Sequence, residues 1–285
     1  MRLDDSRESD NVEDRRGGGG GGLPVGGIGV GTVVLALVAM YFGIDPRVVL
    51  NQASHVSAPP PSAAQQHRPP ANDAETKFVR KVLAETEDTW QQLFRQAGKQ
   101  YEDPKLVLFT DVTRTACGTG QAAMGPFYCP ADHKVYIDLG FYQELKTRFK
   151  APGDFAQAYV IAHEVGHHVQ NLLGVSAKVQ AARERAGERE ANALSVRLEL
   201  QADCLAGVWA KNADTARHIL DQGDLEEALR AATAIGDDTL QKQAKGYAVP
   251  DSFTHGSSEQ RVRWFKRGME SGQVKDCNTF QAKSL

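Results

Sequence analysis

The stretch of sequence that decides the fold is DFAQAYVIAHEVGHHVQNL, residues 154–172. Its apolar residues recur every three to four positions, which predicts a buried helix. Within it, His163 and His167 are four residues apart, so both imidazoles leave one face of the helix and can reach the same ion. Glu164 follows His163 directly, and its carboxylate is expected beside the ion, where a general base for a zinc-activated water must stand.

A second helical segment, RLELQADCLAGVWA at residues 197–210, completes the predicted site. Two histidine ligands need a further protein ligand and an open position for water. We predict Glu199 as that third ligand, with one Zn²⁺ per chain. Asp203 lies four residues later on the same face, where its carboxylate can accept the free ring N–H of a zinc ligand and fix its tautomer. This helix is apolar nearly all round, so two buried carboxylates would be unfavourable without a metal or a partner.

Around these two segments, the sequence predicts an α+β domain over residues 76–285, with a small β-sheet followed by mainly helical structure. Ser257 and Gln260 have the spacing of a capping box at the start of the last helix. Strands are predicted at 105–110 and 134–138, and helices at 76–98, 141–149, 154–172, 175–211, 213–221, 224–235 and 258–268.

The first quarter of the chain has a different composition. Residues 1–22 are charged and then glycine-rich, and residues 45–75 are a Pro/Ala-rich stretch that predicts an unpacked linker. Between them, residues 23–44 contain no charged side chain and are long enough to cross a bilayer, which needs about 20 apolar residues. We predict a single transmembrane helix there; the alternative is a cleaved signal peptide.

The basic residues that flank this apolar stretch predict its orientation. Arg15 and Arg16 precede it, and Arg47 follows it. The positive-inside rule then places the amino terminus in the cytoplasm and the C-terminal domain on the extracytoplasmic side of the membrane.

The net charge of the chain narrows the possible partners. The 33 basic and 36 acidic residues give a formal net charge of -3, so no overall positive field favours nucleic acid, and none is expected as a partner.

The four cysteines lack the CxxC spacing of a structural zinc site. In an extracytoplasmic domain, the preferred disulfide pairing of the three possible is Cys117 with Cys129 and Cys204 with Cys277.

The combination of HExxH and ExxAD resembles the gluzincin zinc peptidases, especially the CaaX prenyl endopeptidase class, and the chain as a whole resembles the bacterial neutral zinc metallopeptidases. The resemblance implies a zincin-like domain with His163, His167 and Glu199 as ligands. It further implies that Glu164 is the catalytic acid/base and that Asp203 accepts a hydrogen bond from one of the ligand histidines. It also implies that His255 stabilises a developing oxyanion and that strand 134–138 pairs with an extended substrate. It rests on residues 117–145, 158–174, 197–210 and 252–265.

Two readings of function remain open at this point. The first is a membrane-anchored zinc peptidase that acts on a peptide or protein substrate, with residues 23–44 in the membrane. The alternative is a catalytically inactive, zinc-binding and membrane-tethered interaction protein. A third hypothesis, a helical structural protein with an accidental HExxH, would need a separate explanation for ELQAD.

Overall fold

The computed structural model describes residues 1–16 and 73–285. The transmembrane helix predicted at 23–44 lies outside the described residues, as do the glycine run at 17–22 and the linker up to residue 72. Among the described residues, no helix combines the length and apolar character needed to span a bilayer.

The chain forms a mixed α+β domain that is mostly helical, as the sequence predicts. Its strands are β1 (Val12–Asp14), β2 (Lys105–Phe109), β3 (Val112–Thr115), β4 (Gly118–Gln121), β5 (Phe127–Cys129) and β6 (Lys134–Asp138). Its helices are α1 (Ala74–Gln96), α2 (Gly140–Thr147), α3 (Asp154–Leu172), α4 (Val175–Arg183), α5 (Glu188–Arg217), α6 (Asp224–Ala234), α7 (Asp237–Lys245) and α8 (Ser258–Ser271).

Four strands form a sheet in the order β1-β2-β6-β5, and β3 and β4 form a separate hairpin. Strands β1, β2 and β6 run parallel to one another, and β5 is antiparallel to β6. Strand β6 therefore lies inside the sheet, because β2 and β5 occupy both of its edges. The pairing of strand 134–138 with a substrate, which the resemblance implies, would need a free edge, and β5 lies at that edge of the sheet instead.

The alternation of side chains along the strands divides the core in two. Leu106 and Leu108 of β2, with Val135 and Ile137 of β6, belong to the main core, which also holds the buried faces of the helices. The residues between them point to the opposite face, where a smaller cluster contains Val107, Phe109, Cys129 and Tyr136. This arrangement follows from the period of two in a strand.

The predicted helix at 175–211 is two helices in the structure, because α4 ends at Arg183 and α5 begins after Gly187. Helix α5 then continues to Arg217, so the separate helix predicted at 213–221 does not form. Helix α7 and strands β1, β3, β4 and β5 were not predicted. The predicted capping box of Ser257 and Gln260 is present at the start of α8.

Residues 1–16 are part of the folded domain, which corrects their assignment to a separate charged tail. They belong to the same compact unit as the rest of the described chain. Strand β1 pairs with β2, and Leu3 and Val12 are buried in the main core. The sequence does not indicate this docking, because most of the contacts of the segment are polar and involve residues far away in the chain.

Both predicted disulfides are present. Cys117 at the β3–β4 turn is bonded to Cys129 of β5, and Cys204 of α5 is bonded to Cys277 near the C-terminus. The first ties the hairpin to the edge strand of the main sheet. The second closes a loop of 73 residues across the helical half of the domain.

Helices α5 and α8 cross at Gly207 and Gly268, which gives a first testable prediction. A Cβ added at Gly268 would lie 1.9 Å from the carbonyl oxygen of Cys204, which is backbone and cannot swing away. Gly268→Ala is therefore expected to lower the free energy of unfolding by about 1–3 kcal/mol or more, measured by chemical denaturation.

The matched control for this prediction is Gly187→Ala, where no atom lies within 4 Å of the added Cβ and the backbone φ is -70°. Because Gly187 is the N-cap of α5 and alanine is less favoured than glycine there, this variant should lower the free energy of unfolding by less than about 1 kcal/mol. Equal stabilities of the two variants would contradict the close helix crossing.

Candidate metal centre

Helices α3 and α5 bring together the three residues that the sequence predicts as ligands. One ligand atom each of His163, His167 and Glu199 lies within 4.8 Å of the other two. The Nε2 atom of His163 is 3.2 Å from Oε2 of Glu199, and Nε2 of His167 is 3.4 Å from Oε1 of the same carboxylate. Both imidazoles therefore face one carboxylate from the neighbouring helix.

The close approach of the two helices depends on Gly166, between the two histidines. A Cβ at this position would lie 3.0 Å from the carbonyl oxygen of Ala202 on α5. Glycine thus lets the α5 backbone come near enough for Glu199 to reach the histidines. In HEVGH, the histidines supply the donors and the glycine allows the second helix to approach.

Both histidines are oriented through their Nδ1 atoms. Nδ1 of His163 is 2.8 Å from Oδ1 of Asp203, and Nδ1 of His167 is 2.8 Å from Oε1 of Gln170. Since the oxygens can only accept, each Nδ1 carries a proton, and Nε2, which faces Glu199, is the nitrogen that each ring would offer to a metal on losing its own proton. The amide orientation of Gln170 is set by its Nε2, which donates to the carbonyl oxygen of Leu198 at 2.7 Å.

Asp203 is fully buried, and its charge is balanced by Arg261 of α8. Arg261 donates from Nε to Oδ2 and from Nη2 to Oδ1, each at 2.9 Å. The hydroxyl of Tyr159 donates to Oδ1 at 2.5 Å. Burial raises the pKa of Asp203, but Arg261 and His163 outweigh it and lower that pKa to about 2. Asp203 is therefore a fixed anion that holds His163 in one orientation.

Glu164 lies next to this group without being part of the ligand cluster. Only 7% of the residue is exposed, and burial raises the pKa of its carboxyl above the usual range. A more basic carboxylate is better suited to accept a proton near neutral pH.

The donor set fits a zinc ion. Two imidazole nitrogens and one carboxylate form one of the ligand sets of catalytic zinc sites, which keep a further position open. Burial lowers the pKa of His163, but Asp203 and Glu199 raise it to about 10 in the chain alone, because the carboxylates favour a positive charge there. An ion held between the Nε2 atoms and Glu199 would meet the same favourable field.

His255 is held in place by Asp237. Oδ2 of Asp237 accepts the backbone N–H groups of Thr254, His255 and Gly256 at 2.6–3.0 Å. Oδ1 lies 3.3 Å from Nδ1 of His255. This hydrogen bond, with a further contribution from the charge of Glu199, raises the pKa of His255. His255 is not in the ligand cluster, and its side chain is 54% exposed.

His168 follows His167 by about 100° of helix turn and has a structural role. It is fully buried, its Nε2 donates to the carbonyl oxygen of Glu102 at 2.6 Å, and its Nδ1 accepts from the hydroxyl of Tyr128 at 3.0 Å. Burial lowers the pKa of His168 to about 4, so it stays neutral. The hydroxyl of Tyr128 is thus engaged in a hydrogen bond within the protein.

The sequence does not indicate three parts of the site: Gln170, Asp237 and the ion pair of Arg261 with Asp203. Gln170 lies three residues after His167, and this spacing could have indicated a partner for that ring. No sequence signal links Asp203 to Arg261, because 58 residues separate them.

Three features of this site define a class of zinc metallopeptidases: a helix with HExxH, a glutamate from a second helix, and a carboxylate that orients one of the histidines. The family model described as "Putative neutral zinc metallopeptidase" matches residues 1–280. The chain belongs to this family.

Two relatives are similar over most of their length. "Uncharacterized protein YpfJ" of Escherichia coli K12 is 53% identical over 290 residues, which cover 98% of this chain and 99% of that protein. "Uncharacterized protein Rv2575" of Mycobacterium tuberculosis H37Rv is 38% identical over 265 residues, which cover 87% of this chain and 86% of the relative. No solved structure matches the chain.

Proposed function

We propose that this protein is a zinc-dependent peptidase whose ion is held by His163, His167 and Glu199. The observation that carries the proposal is the convergence of these three donors, within 4.8 Å of one another, with both ring Nδ1 atoms already engaged. Zinc in such a site supplies Lewis-acid activation of water and of a carbonyl group.

The remaining chemistry is assigned to residues of this chain. Glu164 accepts a proton from the attacking water at its carboxylate and delivers it to the leaving amine, which is general base and then general acid catalysis. Its raised pKa supports both roles. His255, held by Asp237, is proposed to donate to the oxygen on which negative charge develops.

A peptide substrate is supported by the edge of the main sheet. Within the described part of the chain, strand β5 pairs with β6 alone, and it lies next to α3, the helix of the histidines. An extended peptide can add to such an edge through main-chain hydrogen bonds. The role that the resemblance gave to strand 134–138 is therefore assigned to Phe127–Cys129.

The two disulfides support placement of the domain outside the cytoplasm, since such bonds persist in oxidising compartments. Contact with a membrane through residues 23–44 is part of this proposal and rests on the sequence alone.

The test uses the full-length chain, purified and supplied with zinc, and an unfolded protein such as casein as substrate. We expect cleavage that stops when the metal is removed by a chelator and returns with Zn²⁺ but not with Mg²⁺. A folded chain with bound zinc that cleaves neither casein nor a mixed peptide library would contradict the proposal and favour the zinc-binding interaction protein.

A further inference from the structure

Residues 1–16 are held in the domain by backbone and side-chain contacts. Strand β1 runs parallel to β2, with Val12 opposite Leu106 and Asp14 opposite Leu108. The carbonyl oxygen of Asn11 accepts from the N–H of Leu106, and the N–H of Arg15 donates to the carbonyl oxygen of Leu108, both at 2.8 Å. The segment is therefore an outer strand of the main sheet.

The same segment supplies hydrogen-bond partners for a buried carboxylate on α1. Glu87 is only 1% exposed, and it accepts from Oγ of Ser9 at 2.5 Å, from Nδ2 of Asn11 at 2.9 Å and from Nη2 of Arg7 at 2.7 Å. Removal of one partner from a buried charge pair is strongly destabilising, because it leaves an uncompensated charge. Helix α1 thus has a sequence suited to a domain that contains residues 1–16.

The two ends of the intervening segment, residues 17–72, meet at one point. Nη2 of Arg16 is 3.0 Å from Oδ2 of Asp73 and 2.8 Å from Oδ2 of Asp14, and it donates to Oγ1 of Thr76 at 2.5 Å. Arg15 is paired with Glu13 at 2.7 Å. The two arginines on which the predicted orientation rests are therefore engaged with carboxylates of the domain.

This geometry conflicts with a single membrane crossing. One crossing by residues 23–44 would place residues 1–16 on one face of the bilayer and residues 73–285 on the other. Strands β1 and β2 could not then be hydrogen-bonded, and the carboxylate of Glu87 would lose its partners. The docked segment and the single crossing exclude each other.

We propose that residues 1–16 and 73–285 form one domain on one side of the membrane, so that the segment from 17 to 72 begins and ends on that side. Residues 23–44 are then not a single-pass anchor. The disulfides assign the oxidising side to both parts. This inference is independent of the proposed peptidase activity.

The experiment maps both parts in the full-length chain, produced in Escherichia coli. Glu8→Cys and Lys99→Cys each introduce one thiol at an exposed position, while the four native cysteines are paired with one another. A membrane-impermeant maleimide is applied to intact spheroplasts and, separately, to lysed cells. The purified chain in detergent is the control that both thiols react when the membrane is removed.

We expect both variants to be labelled to the same extent in intact spheroplasts. Labelling of both only after lysis would also support the shared side, but it would place the domain in the cytoplasm and contradict the localisation proposed above. Labelling of one thiol in intact spheroplasts and of the other only after lysis would overturn the inference and restore the single crossing. None of these outcomes depends on peptide hydrolysis.

Discussion

Glu164→Gln is expected to reduce peptide hydrolysis by about 10²–10⁴-fold, the usual contribution of a positioned acid/base group, while zinc remains bound. The amide of glutamine is close in shape to the carboxylate but cannot accept the proton of an attacking water at neutral pH. The three ligand atoms belong to other residues, so the metal site stays intact. The measurement is kcat/KM on a peptide substrate together with the zinc content of the same sample.

The matched control for this variant is Glu226→Gln, which makes the same chemical change at an exposed position on α6. It should retain the activity of the original chain. Undiminished hydrolysis by Glu164→Gln would remove Glu164 from the mechanism, and loss of zinc in that variant would show that it acts as a ligand.

Glu199→Ala is expected to remove a ligand and so to weaken zinc binding strongly. The loss of a partner that only orients a ligand costs about 10–100-fold in affinity, and the effect of Glu199→Ala should be larger. Its carboxylate is the only donor to the cluster from α5 and faces both Nε2 atoms. His163 and His167 alone would leave two protein ligands, one fewer than catalytic zinc sites have. Competition with a chelator of known affinity measures the change.

Glu190→Ala provides the control for this change, because Glu190 is exposed on the same helix. Zinc affinity should be unchanged in that variant. Equal zinc affinity of Glu199→Ala and Glu190→Ala would show that the third ligand lies elsewhere.

The part of the site predicted from the sequence is the part whose signal is local. The spacing of His163 and His167 fixes two donors on one helix face, and Glu199 and Asp203 are similarly spaced on a second helix. Hydrophobic periodicity located both helices. The pairing of the two helices was a hypothesis based on the number of ligands that zinc needs, and the structure brings these residues together.

The features that the sequence did not reveal depend on contacts between distant parts of the chain. Arg261 pairs with Asp203, and Ser9 and Asn11 pair with Glu87, across 58, 78 and 76 positions respectively. A charged segment such as residues 1–16 has no apolar pattern that distinguishes a docked strand from a solvated tail. Its docking is visible only when the buried carboxylates of α1 are seen with their partners.

Zinc stoichiometry of the full-length chain, by elemental analysis after zinc is supplied and the excess removed, tests the central claim most directly. The account predicts one zinc per chain and its loss in Glu199→Ala, with the fold of both proteins verified by circular dichroism. A folded wild-type chain that retains no zinc would contradict it.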